Sequence, residues 1–127
     1  MSHLISTIEN KISQAHLEST PIDDSATMIK YIRMALVIHP DDFSEVIDSI
    51  EAFIEKNSKK AENIKSYSIK NGVITILNGS VLPKSKPFLP PWRIAEMLGF
   101  EKGTRQFRLA IAYLMLPENR VLANILI

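Results

Sequence analysis

The chain has 127 residues, of which 46% are hydrophobic and 23% are charged, and its formal net charge is +1. This length suits one domain, and the balance is that of a folded globular protein rather than a disordered chain. The absence of cysteine excludes a disulfide framework, a cysteine-ligated zinc and a cysteine nucleophile, and it agrees with the cytoplasmic location that we expect.

The distribution of apolar residues predicts neither a secretion signal nor a membrane span. Residues 1–14 are polar and amphipathic, without the apolar run of a signal peptide. The longest apolar stretch, Leu109 to Leu116, is too short to cross a bilayer. We therefore expect no membrane partner.

The net charge conceals a strong asymmetry between the two halves of the chain. Residues 1–55 contain ten acidic and three basic side chains, whereas residues 56–127 contain twelve basic and four acidic ones. Such a split can indicate an anionic partner for the basic half. Two alternatives stay open: the halves attract each other within one domain, or opposite faces pair in a homodimer.

Three helices are predicted in the N-terminal half. Apolar residues at helical spacing indicate a first helix up to about residue 18, and a second from Ser25 to Ile38 that we expect to be among the most buried. Pro40 suits the start of a third helix. Acidic side chains should point outward from that helix: Glu45, Asp48, Glu51 and Glu55. A short helical turn is expected before Ile64.

The pair Asn71-Gly72, between two alternating apolar runs, predicts a β-hairpin with a two-residue type I′ turn. This register places Ile69 opposite Ile74 and Tyr67 opposite Ile76, on one apolar face that should pack on the helices. A third, edge strand is expected after Asn78-Gly79, placing Val81 near Ile76 and ending at Pro83.

Prolines then indicate an extended connection, followed by two C-terminal helices, residues 92–98 and about 104–116. The apolar tail from residue 121 could be a strand or a last helical turn. The predicted fold class is α+β: three N-terminal helices, a two- or three-stranded antiparallel meander and two C-terminal helices. We expect one compact domain, 1–127, divided into helical 1–65, meander 66–82, Pro-rich connection 83–91 and C-terminal helices and tail 92–127.

The segment from Arg93 to Leu114 resembles a helix-turn-helix. Ala95 is small enough for a second helix to approach, and Gly99 can supply the turn conformation. Arg105 and Arg108 of the second helix could then reach phosphates and base edges. The pattern departs from the motif at Arg105, where a packing Val or Ile is usual, and an ordinary helical hairpin is the alternative.

A mixture of cations and aromatics in the Pro-rich connection adds to this hypothesis. Lys84 and Lys86 precede Phe88 and Trp92, a composition that can hold a nucleic-acid backbone and stack a base, although such aromatics often fill a domain's own core. The predicted nucleic-acid-binding residues are Lys84, Lys86, Arg93, Lys102, Arg105 and Arg108.

The sequence contains no pattern typical of an enzyme. The three histidines are isolated from other metal ligands, the adjacent acids begin predicted helices, and the glycines fit turns. We therefore expect no enzymatic activity, no metal and no cofactor. The favoured hypothesis is a small non-enzymatic nucleic-acid-binding or regulatory protein. The alternative is a protein-interaction module, such as an inhibitor, immunity-type or accessory subunit, that uses the acidic helical face or the Pro-rich segment.

Overall fold

The computed structural model describes residues 2–18 and 25–127, and in this part the chain is a small α+β domain. The helices and strands of the described residues are α1 Ser2–Glu18, α2 Ser25–Ile38, α3 Pro40–Lys56, α4 Ser58–Glu62, β1 Ile64–Lys70, β2 Val73–Asn78, β3 Lys84–Pro87, α5 Pro91–Met97, α6 Arg105–Leu114 and α7 Pro117–Leu126. The predicted order of N-terminal helices, antiparallel meander and C-terminal helices is confirmed.

Helix α6 lies at the centre of the helical core. Six of its ten residues are buried, on several sides of the helix, and α1, α2, α3, α5 and α7 all pack against it. Thr104 begins the helix as predicted, because its side-chain oxygen accepts a hydrogen bond from the backbone N–H of Phe107 at 3.1 Å. Burial of each large apolar side chain here contributes about 1.5–3 kcal/mol to the free energy of folding.

Helix α2 is less buried than its sequence predicts. Met28, Tyr31 and Ala35 form its buried side, whereas Leu36 is exposed and Val37 is 77% exposed. The prediction failed because a wide apolar pattern does not reveal how many neighbours a helix has. α2 packs on α1, α3 and α6, and the rest of its circumference faces solvent.

The hairpin has the predicted register, with Ile69 paired to Ile74 and Tyr67 to Ile76. Asn71 and Gly72 both have positive φ angles, 52° and 75°, as a type I′ turn requires. The predicted apolar face is only partly covered: the β2 residues Ile74 and Ile76 are buried, while Tyr67 remains 48% exposed. β2 is the central strand of the sheet, so its side chains are flanked on both sides.

The third strand begins where we expected it to end. Residues 79–83 form the connection, in which the N–H of Val81 donates to the carbonyl of Asn78 at 2.8 Å. Strand β3 then pairs Lys84 with Ile76 and Lys86 with Ile74. Proline lacks a backbone N–H, so Pro83 directly precedes this short edge strand and Pro87 is its last residue.

The apolar tail forms a full helix, α7, rather than a strand. Pro117 occupies its first turn, where a missing N–H costs nothing. Buried Asn124 fixes α7 to the Pro-rich segment: its Oδ1 accepts from the N–H of Leu89 at 2.7 Å, and its Nδ2 donates to the Leu89 carbonyl at 3.3 Å. The sheet and the C-terminal helices are thereby joined.

No single helix among the described residues has the length and apolar character that crossing a membrane requires. Taken together, α6 and α7 reach that length and composition, but the two helices are bent by 97° relative to each other.

Candidate nucleic-acid interface

The helix-turn-helix-like segment folds as a helical hairpin of α5 and α6. Ile94 and Ala95 are buried against α6, and Gly99 takes a positive φ of 95° in the turn. A recognition helix must present its side chains to a DNA groove. No residue of α6 is fully exposed, since the helix is enclosed by its neighbours, so α6 has no open face of this kind.

The two arginines of α6 bind a carboxylate within the chain. Arg105 donates from Nε to Oε2 of Glu9 at 2.8 Å, and Nη2 of Arg108 lies 3.8 Å from the same oxygen. The hydroxyl of Tyr31 also donates to this oxygen, at 2.9 Å. Arg105 further lies 3.9 Å from Asp42. Both arginines therefore have acidic partners within the chain, in addition to the phosphates or base edges that we predicted for them from the sequence.

The pKa values in this cluster follow from the same contacts. Burial raises the pKa of Glu9, but hydrogen bonds from Arg105 and Tyr31, together with the charges of Arg105 and Arg108, lower it below its usual value overall. Burial and the Glu9 carboxylate raise the pKa of Tyr31. Glu9 is consequently charged and Tyr31 neutral at neutral pH, and the charge of the arginines is largely compensated.

Two further predicted residues, Arg93 and Lys102, share a second acidic partner. Lys102 Nζ lies 3.0 Å from Oε1 of Glu96, and Arg93 Nη1 donates to Oε2 at 3.3 Å. The hydrogen bond from Lys102 is the main reason that the pKa of Glu96 is lowered. This cluster lies on α5 and the following turn, separate from that around Glu9.

The remaining predicted residues, Lys84 and Lys86, lie together on β3. They are two positions apart and therefore share one face of the sheet. Their cross-strand partners on β2, Ile76 and Ile74, lie on that same face. The structure thus divides the six predicted residues among three places and groups Lys84 with Lys86, Arg93 with Lys102, and Arg105 with Arg108.

The basic residues without acidic partners are concentrated in residues 56–86, which we call the lysine segment. It spans the end of α3, α4 and the meander, and its acidic side chains are limited to Glu62. None of its lysines forms an ion pair with another described residue. They are Lys56, Lys59, Lys60, Lys65, Lys70, Lys84 and Lys86. Five of the seven were not among the predicted site residues, although their density in the sequence was a visible signal.

The aromatic residues near this segment have different roles. The Phe88 ring lies under the guanidinium of Arg120, 4.8 Å from its centroid, and Trp92 packs against His16 with centroids 5.2 Å apart. Both side chains are partly buried, which agrees with packing within the domain. Tyr67 is the half-exposed aromatic of the meander, and it shares a groove with Val121 of α7.

The described residues form no cluster suited to binding a metal ion, and His16 and His39 lie in different surroundings. Among them, no three His, Asp or Glu side chains come close enough to hold a metal ion. The ring of His16 contacts those of Trp92 and Phe107, with its centroid 5.2 Å from each, and His39 directly precedes α3. The side chain of His3 lies outside the described residues. Comparisons with protein-family models, with curated proteins and with solved structures found no match to this chain.

Proposed function

We propose that this is a small non-enzymatic protein that binds nucleic acid through its lysine segment. The observation that carries the proposal is the contrast between two sets of basic residues. The predicted bases of α5, α6 and their turn are paired with Glu9, Glu96 and Asp42, whereas the seven lysines of residues 56–86 have no ion pair among the described residues. Uncompensated positive charge attracts a phosphate backbone and gives a salt-dependent affinity.

The meander supplies further groups suited to a phosphate backbone. One face carries hydroxyl side chains beside Lys70, and hydroxyl groups commonly donate to phosphate oxygens. These side chains are Ser66, Ser68, Thr75 and Ser85. On the opposite face, half-exposed Tyr67 offers a ring on which a base can stack. Because α6 has no open face for a groove, this arrangement favours a single strand over a duplex.

The test is a fluorescence-anisotropy titration of labelled single-stranded and duplex DNA at low and near-physiological salt. The wild-type protein should bind at low salt, more tightly to the single strand, and weaken steeply as salt is added. The double variant Lys84→Ala, Lys86→Ala should bind more weakly, with the slope of log affinity against log salt reduced by about one for each lost phosphate contact.

A matched control removes the same charge from the acidic half. Lys11 and Lys30 are exposed residues of α1 and α2, outside the lysine segment. The variant Lys11→Ala, Lys30→Ala should retain the wild-type salt slope. If the wild-type protein does not bind either DNA at low salt, or if the control loses as much affinity as the Lys84 and Lys86 variant, the proposal is wrong.

A protein partner is the second candidate function, and the exposed face of α3 favours it. Asp41, Glu45, Asp48, Glu51 and Glu55 are all exposed along this helix. Glu45 accepts a hydrogen bond from Gln106, which leaves the others as a surface for a basic partner. Such a surface serves an inhibitor or an accessory subunit, and a second copy of the chain could supply the basic side through its lysine segment.

A further inference from the structure

A cavity of about 400 Å³ lies between the meander, α4 and the end of α7. Its apolar lining comes from Ile64 of β1, Ile76 of β2, Ile125 and Leu126 of α7, and Ile127 directly after that helix. Ile76 and Leu126 are almost completely buried, so the accessible part of this lining comes from the partly exposed Ile64, Ile125 and Ile127. A volume of this size falls within the range of small-molecule sites, which are mostly apolar with a few polar groups.

Three lysines surround this apolar surface: Lys60 of α4, and Lys84 and Lys86 of β3. The polar residues beside them are the amides Asn63 and Asn78, and no acidic side chain lines the cavity. Lysines are usually paired or fully hydrated, so three lysines around one apolar cavity without an Asp or Glu side chain in its lining leave an excess of positive side-chain charge there.

The excess of positive charge around the cavity affects the protonation of Lys86. It is less exposed than Lys84, and burial, followed by repulsion from the Lys60 charge, lowers its pKa. A negative charge between Lys60 and Lys86 would remove that repulsion and favour the charged form of both. The cavity is therefore electrostatically suited to an anion.

The apolar residues that line the cavity indicate which class of anion would fit it. The apolar side chains are aliphatic, with no aromatic ring among the lining residues on which a nucleobase could stack. Inorganic phosphate would satisfy the lysines but leave the aliphatic surface uncovered. A chain of methylene groups ending in a carboxylate would cover that surface and place its charge among the lysines.

We propose that this cavity binds a small aliphatic carboxylate, with the carboxylate among Lys60, Lys84 and Lys86 and the hydrocarbon chain against Ile64, Ile125 and Ile127. This binding site goes beyond the proposed nucleic-acid function and does not require it. Because Lys84 and Lys86 belong to both surfaces, a bound carboxylate should compete with DNA where both bind.

The test is an NMR titration of the isotope-labelled protein with butanoate, hexanoate and octanoate, each below its critical micelle concentration. Resonances of Ile64, Ile125 and Ile127 should shift, and the affinity should rise about fourfold for each methylene group that becomes buried. Octanol, which has a hydrocarbon chain but no charge, should bind at least about tenfold more weakly, because it cannot pair with the lysines.

Two variants test whether the bound carboxylate pairs with a lysine of the cavity. Lys86→Met should reduce octanoate affinity, whereas Lys70→Met removes an equal charge from a lysine outside the cavity and should not. The dispersed spectrum of each variant serves as the check that it is folded.

Three results would overturn the proposal. The first is an absence of octanoate-induced shifts at the aliphatic residues. The second is equal binding of octanol, which would make the cavity merely apolar. The third is inorganic phosphate binding as tightly as octanoate, which would make it a phosphate contact. DNA binding by the same samples is measured separately, so a failure of the carboxylate site can be distinguished from a failure of the nucleic-acid proposal.

Discussion

The side chain of Arg105 contacts Glu9 across 96 positions of the sequence, with Nε 2.8 Å from Oε2. Tyr31 donates to the same carboxylate oxygen at 2.9 Å. The contact joins α1, α2 and α6 at one point, because each helix contributes one of these residues. Glu9 is buried, so its charge depends on its partners rather than on water.

We expect Glu9→Gln to lower the free energy of unfolding by about 3 kcal/mol at pH 7. The amide retains the shape of the side chain but leaves Arg105 and Arg108 without a buried counter-charge. This estimate is at the lower end for breaking a buried ion pair, since Arg105 keeps partial contact with water. Urea denaturation measures the change. Glu62→Gln, at an exposed position, is the control and should change stability by no more than about 0.5 kcal/mol.

The same carboxylate predicts a dependence of stability on pH. The pKa of Glu9 is lower in the folded protein than its ordinary value of 4.5. The unfolded chain therefore binds a proton first on acidification, and the stability from this group is present above pH 4.5 and lost as pH falls toward the folded pKa. Thermal unfolding between pH 7 and pH 3 should show a smaller loss in Glu9→Gln than in the wild type. Parallel curves would contradict this assignment.

Replacing the arginines of the basic half by alanine should change the stability of the fold more than replacing its lysines. Arg105→Ala with Arg108→Ala should destabilise the fold, because it leaves Glu9 buried with the Tyr31 hydroxyl as its remaining hydrogen bond. Lys84→Ala with Lys86→Ala should change the free energy of unfolding by less than about 1 kcal/mol, since these lysines have no ion pair to lose. Denaturation of both double variants tests this, and equal losses of stability would contradict it.

The hairpin turn gives a prediction that depends on backbone conformation alone. Gly72 has a φ of 75°, and no atom lies within 4 Å of the position that a Cβ would occupy. Gly72→Val should therefore destabilise the domain by about 1–2 kcal/mol through strain at positive φ rather than through a clash. Asn71→Gly is the matched control, because glycine accepts the φ of 52° at that position. An unchanged melting temperature for Gly72→Val would be inconsistent with the turn.

The hairpin was predictable because its determinants are local. Asn71-Gly72 and the alternating residues beside it specify turn type and register within about ten residues of chain. The third strand was misplaced because the sequence contains two turn signals, Asn78-Gly79 and Pro83, and only pairing with β2 determines which residues form the strand. Long-range pairing is not encoded in such short patterns.

The candidate site was less predictable, for a related reason. The excess of basic residues after position 55 could be counted, but the pairing of Arg105 with Glu9 depends on two segments that only the tertiary fold brings together. Lys60 joins Lys84 and Lys86 for the same reason, since α4 and β3 line one cavity. Charge composition shows that the second half of the chain is basic, but it does not show which basic side chains have acidic partners in the folded protein.

Asn124 should be essential for the attachment of α7 to the Pro-rich segment. Its amide accepts from the N–H of Leu89 and donates to two carbonyls, those of Leu89 and Arg120. Asn124→Leu leaves the N–H and carbonyl of Leu89 unpaired in a partly buried position and should lower the free energy of unfolding by about 2 kcal/mol. The Leu89 amide should also lose protection from hydrogen exchange. If exchange at Leu89 is unaffected in the variant, the contact does not hold the segment.

The acidic face of α3 gives the prediction that tests a protein partner. Asp48, Glu51 and Glu55 are exposed, and none has an ion pair among the described residues, so reversing all three to Lys should leave the protein folded. Glu45 is left unchanged because it bonds Gln106 of α6.

If this face docks a basic protein, the wild type should retain that protein in a pull-down at low salt and release it as salt is added, because exposed charge pairs are screened. The reversed variant should not retain it, since like charges repel. Glu62→Lys with Glu101→Lys and Glu118→Lys provides a control with the same change in net charge at exposed positions elsewhere. Equal retention by the reversed variant and the control would show that α3 is not the docking surface.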